Sequence, residues 1–276
     1  MWPILRTITS AFDAILTPFA ELHPWVGLAV VSAVTGVVML LIFGKTSDQK
    51  KISETKDKLK AYVMEMWIFR NDTLVMFSAI GRVLRSNLQY LRHSLRPLVF
   101  LFIPVLIIMV QLGIRYADEP LMPGDKAVVS VKLSEGTVPS QTPLALVAPK
   151  GVRVVSPALR IDSESEVDWE IRVEHPGQYQ LALETPGGTV HKSLDVGPRR
   201  QLGAIGAVKA RANSWGAFLY PSEPPVPSDS VIESIHVTYP HRELRFFGLT
   251  VNWLVAFFVI SVAAGFALKG VFGIEV

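Results

Sequence analysis

The chain has 276 residues, half of them hydrophobic, with a net charge of +3 and a positive mean hydropathy. Soluble domains rarely reach that average, so a membrane protein is expected, and the small charge by itself implies no nucleic-acid partner. Cysteine is absent, which excludes disulfides, thiolate catalysis and cysteine-ligated metal but identifies no compartment.

Residues 1–23 place Trp2, Leu5, Ile8, Phe12, Ile15 and Phe19 at helical spacing, with Arg6, Ser10, Asp13 and Thr17 between them. This predicts an amphipathic helix lying in a membrane interface. The basic start and unbroken apolar core of a cleaved leader are missing. After the turn at "HPW", residues 24–44 are expected to form a first transmembrane helix, with 97–116 and 247–269 as the second and third. Their cores, 26–43, 97–114 and 248–268, carry no charge and approach the ~20 residues that cross a bilayer. Pro104 is tolerable inside a span, where neighbouring helices satisfy the freed carbonyl.

Residues 45–96 read as a hairpin of two helices. Ile52, Thr55, Leu59, Tyr62, Met66 and Phe69 recur at coiled-coil spacing, as do Phe77, Ile80, Leu84, Leu88, Leu91 and Leu95. "RNDT" supplies the break, with Asn71 or Asp72 as N-cap. Leu59, Met66, Leu84 and Leu88 are expected to bury against one another, while Lys51, Lys58 and Lys60 stay solvated. Residues 45–96 hold eleven Lys/Arg against five Asp/Glu, and 118–245 hold thirteen against sixteen. The hairpin and the tail 270–276 are therefore expected in the cytoplasm, and the N-terminus and the second loop outside.

The second loop changes character. "EVDWEIRVEH" puts Val167, Trp169, Ile171 and Val173 on one face, and "KAVVSVKL", "GQYQLALET" and "TVHKSLDV" keep the period of two between "HPG" and "TPGG" turns. Residues 117–198 are expected to form a small antiparallel β-sandwich. "HPGQYQLAL" resembles the tyrosine-corner approach of immunoglobulin-like domains, with Tyr179 as the corner residue. Residues 199–246 read as a proline-rich return segment near the membrane. In it Trp215, Phe218 and Tyr220 face the bilayer or a spanning helix, and "SDSVIESIHV" forms a short helix. The expected fold is a three-span α-helical membrane protein with a cytoplasmic helical hairpin and an inserted all-β, immunoglobulin-like sandwich outside.

Chemistry is sparse. Six histidines are scattered without ligand spacing, and no HExxH, GxSxG, phosphate loop or dinucleotide fingerprint occurs. The carboxylates of 162–174 alternate along a strand as its solvated face. No catalytic, cofactor-binding or metal residue is nominated, and no enzyme is expected. Uncharged spans argue against a proton relay or ion carrier. Ser32, Thr35, Gln111, Asn252 and Ser261 are the polar residues within the spans. Helix-to-helix hydrogen bonding is their simpler role, and a wetted groove for a passing polypeptide the sharper one. Met64, Met66 and Met76, with Lys51 and Lys58, are candidate contacts for clients or partners, although methionine also fills ordinary cores.

The order of these elements resembles the YidC-type insertase superfamily, including archaeal members with a cytoplasmic coiled coil and the third subunit of the endoplasmic reticulum membrane protein complex. "FAELHPWVGLAVV" looks like the amphipathic helix, turn and tryptophan with which bacterial members enter their first core span. The stretch from "KISETKDKLKAYVMEMWIFRND" to "LRPLVFLFIPVLIIMVQL" looks like the hairpin feeding the second. The resemblance covers roughly residues 1–116 and the last span. It implies assistance to insertion or assembly of membrane proteins in a prokaryotic inner or plasma membrane. The implied partners are the bilayer, nascent chains or other membrane proteins, with nucleic acid met only on the ribosome. The alternative is an accessory or scaffold subunit of a larger membrane complex, docking partners through the sandwich. Bacterial members carry a groove arginine where this chain has Thr35-Gly36-Val37, and usually five core spans; the sandwich is an addition.

Overall fold

The computed structural model describes residues 2–19, 22–47, 49–68, 73–200, 202–212, 215–246 and 248–274, and within 49–97 only part of the side chains. Four helices come first: α1 (Trp2–Leu16), α2 (Pro24–Thr46), α3 (Gln49–Ile68) and α4 (Thr73–Tyr116). Strands β1 (Lys126–Leu133), β2 (Ala145–Val147), β3 (Val152–Val154), β4 (Leu159–Ile161), β5 (Glu166–Val173), β6 (Gly177–Thr185), β7 (Gly188–Val196) and β8 (Val208–Ala210) follow. Then come α5 (Trp215–Leu219), β9 (Ile232–Val237), β10 (Leu244–Phe246), β11 (Leu249–Val251) and α6 (Trp253–Leu268). The chain divides into two units, Met1–Gly27 with Met109–Trp253, and Leu28–Ile108 with Leu254–Val276.

The first unit is built on two antiparallel sheets, one of order β3-β5-β1-β9-β8 with β4 also on β5, the other of order β2-β6-β7, with the β10-β11 pair as a third, two-stranded sheet. Both contribute to one core: Val129, Val131, Val167, Ile171 and Ile235 from the larger sheet, Leu181, Leu183 and Leu194 from the smaller. The alternation read from "EVDWEIRVEH" is the burial pattern of β5, with Val167, Trp169, Ile171 and Val173 inward.

Two expectations need correction here. The β-rich domain does not end near 198, because β8 and β9 complete the larger sheet. "SDSVIESIHV" is not a helix: Ile232–Val237 is a strand pairing with Val129–Leu133 of β1. A register shift at Lys132/Leu133 lets Val131 face Ile235 while Leu133 faces Ile232. The two isoleucines therefore lie three apart yet both point inward, a spacing that imitates a helix. Trp215 is exposed, and α5 lies against β8.

In the second unit α4 enters as one continuous helix of 44 residues, unbroken at Pro97 and Pro104. Arg82 of α4 lies over the Tyr62 ring of α3, 5.6 Å from its centroid. The expected seam is not formed as read, since Leu84 and Leu88 are exposed while Ser86 is buried. The face of α4 presented to its neighbours is rotated by about two residues from its leucine stripe. Leu59 and Met66 side chains, and the cap at Asn71 or Asp72, lie outside the described residues.

Two helical stretches, Pro24–Thr46 and Leu98–Tyr116, are long and apolar enough to cross a membrane. The third predicted span is shorter than expected: residues 249–251 belong to β11, and α6 is an apolar helix of 16 residues. Val30, Val34, Val38, Phe102, Ile103, Val259 and Val262 all stand exposed along these helices. Apolar surface of that extent marks contact with lipid or another protein, and points to membrane association.

Candidate functional site

In the second unit, α2 and α6 cross at Gly36. A Cβ added there would lie 2.0 Å from the Ser261 carbonyl oxygen, and one on Gly265 would lie 3.4 Å from the Gly36 oxygen. Small residues allow the two backbones this approach. Beside the crossing, α2, α4 and α6 enclose a cleft of ≈ 300 Å³ lined by Met39, Phe43, Leu101, Val105, Phe257 and Val262 among others. No charged side chain lines it among the described residues. Thr35 and Ser261 are its polar members. The Ser261 hydroxyl donates to the Phe258 carbonyl at 3.1 Å. The Thr35 hydroxyl, on a residue only 5% exposed, makes no hydrogen bond among the described residues.

The other nominated groove residues do not join them. Ser32 is fully buried and donates to the Leu28 carbonyl of its own helix at 2.6 Å. Asn252 is exposed and precedes α6 rather than lying inside a span. Gln111 belongs to the first unit, where its amide donates to Thr9 Oγ1 at 3.1 Å. On the hairpin, Met64 and Lys58 are exposed, whereas the side chains of Lys51, Met66 and Met76 lie outside the described residues.

Gln111 leads to a residue that the sequence reading passed over. Arg115, 1% exposed, donates to the Gln111 carbonyl and Oε1, to the Thr9 carbonyl and, at 2.5 Å, to Asp13 Oδ1. This network fastens α1 to the end of α4 through Leu5, Thr9 and Leu16, its buried face. The signal was present as Asp13, the single acid of α1. Asp13→Asn should loosen α1 by about 1 kcal/mol, less than a fully buried charged hydrogen bond, because Asp13 is half exposed. Faster hydrogen exchange of α1 amides, with β-domain exchange unchanged, is the expected reading.

The β-rich domain holds a second buried polar group. Lys192 falls on the inward face of β7 with Val190, Leu194 and Val196, a charged residue on a buried period that the sequence displays. Its ammonium is 2.5 Å from Glu223 Oε1 and also donates to the Gly206 carbonyl; Lys209 Nζ lies 3.8 Å from Glu223 Oε2. Burial pulls both lysines below their ordinary value and pushes the Asp195 carboxyl up. Tyr239, whose oxygen accepts the Asp195 N–H at 3.0 Å, is likewise raised by burial above 10.0. A raised phenol keeps its proton in the folded state after the unfolded chain has lost it, so its contribution falls as pH rises past 10. The two lysines act in the opposite sense up to 10.5. Comparing the parent with Tyr239→Phe, which shares them, isolates the phenol. The variant's stability should decline less steeply above pH 10 in unfolding titrations.

No family model matches the chain, and no curated protein matches it significantly. Among the described residues no group of three or more histidines and carboxylates is placed to hold a metal ion.

Proposed function

We propose that this chain is a non-enzymatic membrane protein that holds an apolar transmembrane helix of another protein in the α2/α4/α6 cleft during assembly of a membrane complex. The cleft lining carries the reading. It is apolar and uncharged except for two hydroxyls, one of them, Thr35, without a hydrogen-bond partner among the described residues. An apolar helix fills such a surface, and a helix with a carbonyl or hydroxyl at the right depth satisfies Thr35. Passage of a polar segment would need a wetted groove, yet Ser32, Gln111 and Asn252 are committed or placed elsewhere. The resemblance to YidC-type proteins supplies the frame for this role. Insertion of nascent chains is the second reading, favoured by the exposed Met64 and Lys58 on α3. An immunoglobulin-like subclass for the β-rich domain is supported by the Tyr179 hydroxyl, which donates to the His175 carbonyl at 2.9 Å as a tyrosine corner does.

A photo-crosslinking side chain at Val262, exposed and on the cleft wall, tests the reading in living cells. A docking subunit yields one stoichiometric protein adduct that persists when translation stops. Heterogeneous adducts that vanish with translation would favour insertion, and lipid adducts alone would overturn both.

The orientation places α1 and the β-rich domain outside and the hairpin inside, with α6 as a third crossing. The first unit supports it by gathering residues 1–27 with 109–253, which include the segments 1–23 and 117–246 assigned to the outside. An impermeant thiol reagent on intact cells should label a cysteine at Ser163 and spare one at Ser53; the reverse pattern inverts the topology.

A further inference from the structure

Four arginines meet in the first unit where α2 begins. A cavity of ≈ 220 Å³ is lined by Arg199, Arg200, Arg242 and Arg245, by Glu119 and Glu243, and by His23 and Pro24 at the start of that helix. We infer that this cavity binds an anionic phosphoryl group, supplied in the membrane by an acidic phospholipid headgroup.

Charge is the first argument. The lining holds four guanidiniums against two carboxylates. Glu243 is occupied by Arg245 at 3.0 Å, and Glu119 and, beyond the lining, Asp125 each stand 3.7 Å from Arg199. Arg200 is exposed and makes no hydrogen bond or ion pair among the described residues. Arg242, only 7% exposed, is held in the wall by donating to the Arg199 carbonyl at 2.9 Å. A fixed, buried guanidinium beside an exposed one is suited to a tetrahedral oxyanion, which accepts from several forked donors together.

Position is the second argument. The cavity borders the first turn of α2, a helix apolar enough to cross a bilayer. Trp25 donates its indole N–H to the Arg245 carbonyl at 2.9 Å, and its ring lies 5.4 Å from that of Phe246, which is exposed. A tryptophan and a phenylalanine beside arginines at a span end form the arrangement that sits at headgroup level. The inference rests on the membrane reading for the source of the phosphoryl group only; the cavity's charge does not depend on it.

The test uses the full chain, purified and stripped of lipid. Binding of phosphatidylglycerol and phosphatidylcholine is compared by native mass spectrometry, for the parent and for Arg199→Gln/Arg200→Gln. The parent should retain phosphatidylglycerol selectively, and the double variant about thirtyfold more weakly, as removal of two basic groups near an anionic surface implies. Arg153→Gln, an exposed arginine paired with Glu174 outside this cavity, should bind like the parent. Equal retention of both lipids, or an equal loss in Arg153→Gln, would overturn the site. Displacement of phosphatidylglycerol by millimolar inorganic phosphate, with a rise in melting temperature from phosphate alone, would keep the anion site and overturn the lipid source. Should the double variant melt early, Arg200→Gln alone carries the test. A chain that fails to enter bilayers but still binds inorganic phosphate would sink the membrane reading and spare this one.

Discussion

Glu223→Gln should lower the stability of the β-rich domain by about 3–5 kcal/mol. The carboxylate is 7% exposed and faces two ammonium groups, Lys192 with no exposed side chain and Lys209 at 8%. Its second oxygen also accepts the Ser193 N–H at 3.1 Å. The amide keeps the shape but removes the charge, leaving both ammoniums buried with carbonyls alone. Gly206 shows how closely the group is packed, since an added Cβ would lie 2.7 Å from Ser193 Oγ and 2.8 Å from Glu223 Oε1. A loss of that size is a large part of the total for an ordinary domain. In a Lys192→Met background the same change should cost at least ~1 kcal/mol less, because one stranded charge is gone. Denaturant unfolding of the full chain, with hydrogen exchange read on β7 and β8, measures both. Equal costs in the two backgrounds would mean that Lys192 and Glu223 are not coupled.

Gly36→Ala should destabilise the α2–α6 crossing even though helix propensity favours alanine by about 1 kcal/mol. The new methyl group would meet Ser261 backbone atoms at 2.0, 2.8 and 3.0 Å. Backbone cannot rotate aside as a side chain can, so the helices must separate, at a net cost toward the upper end of ~1–3 kcal/mol. Gly81→Ala is the matched control. Nothing lies within 4 Å of a Cβ there, and the change should stabilise α4 by about 0.5–1 kcal/mol. Opposite shifts in melting temperature are expected from the same chemical change. Separation of α2 from α6 also reshapes the cleft, so Gly36→Ala should reduce crosslinking from Val262. A Gly36→Ala protein as stable as its parent would refute the close crossing.

Much of the architecture is local and was legible from residues in a row. Period-two burial in β1 and β5 needs only neighbours along a strand, and the uncharged runs of α2 and α4 need only hydropathy and length. Lys192 was legible in principle, because it occupies an inward position of β7 that its apolar neighbours define. Other features depend on partners distant in the chain. The inward aim of Ile232 and Ile235 comes from a register shift on β1, about one hundred residues earlier. Thr9, Asp13, Gln111 and Arg115 are ordinary polar residues until two helices meet, when they become one buried network. The same holds for Gly36 against Ser261, and for the four arginines collected from 199–200 and 242–245. Sequence by itself therefore determined the apolar helices α2 and α4 and the strands β1, β5, β6 and β7, since those follow from each residue's immediate neighbours, but not β8, β9 or β11. Only tertiary structure decided which polar and charged groups are buried together, because the cost of burying a charge, and the partner that offsets it, is set by groups that the chain brings from far away.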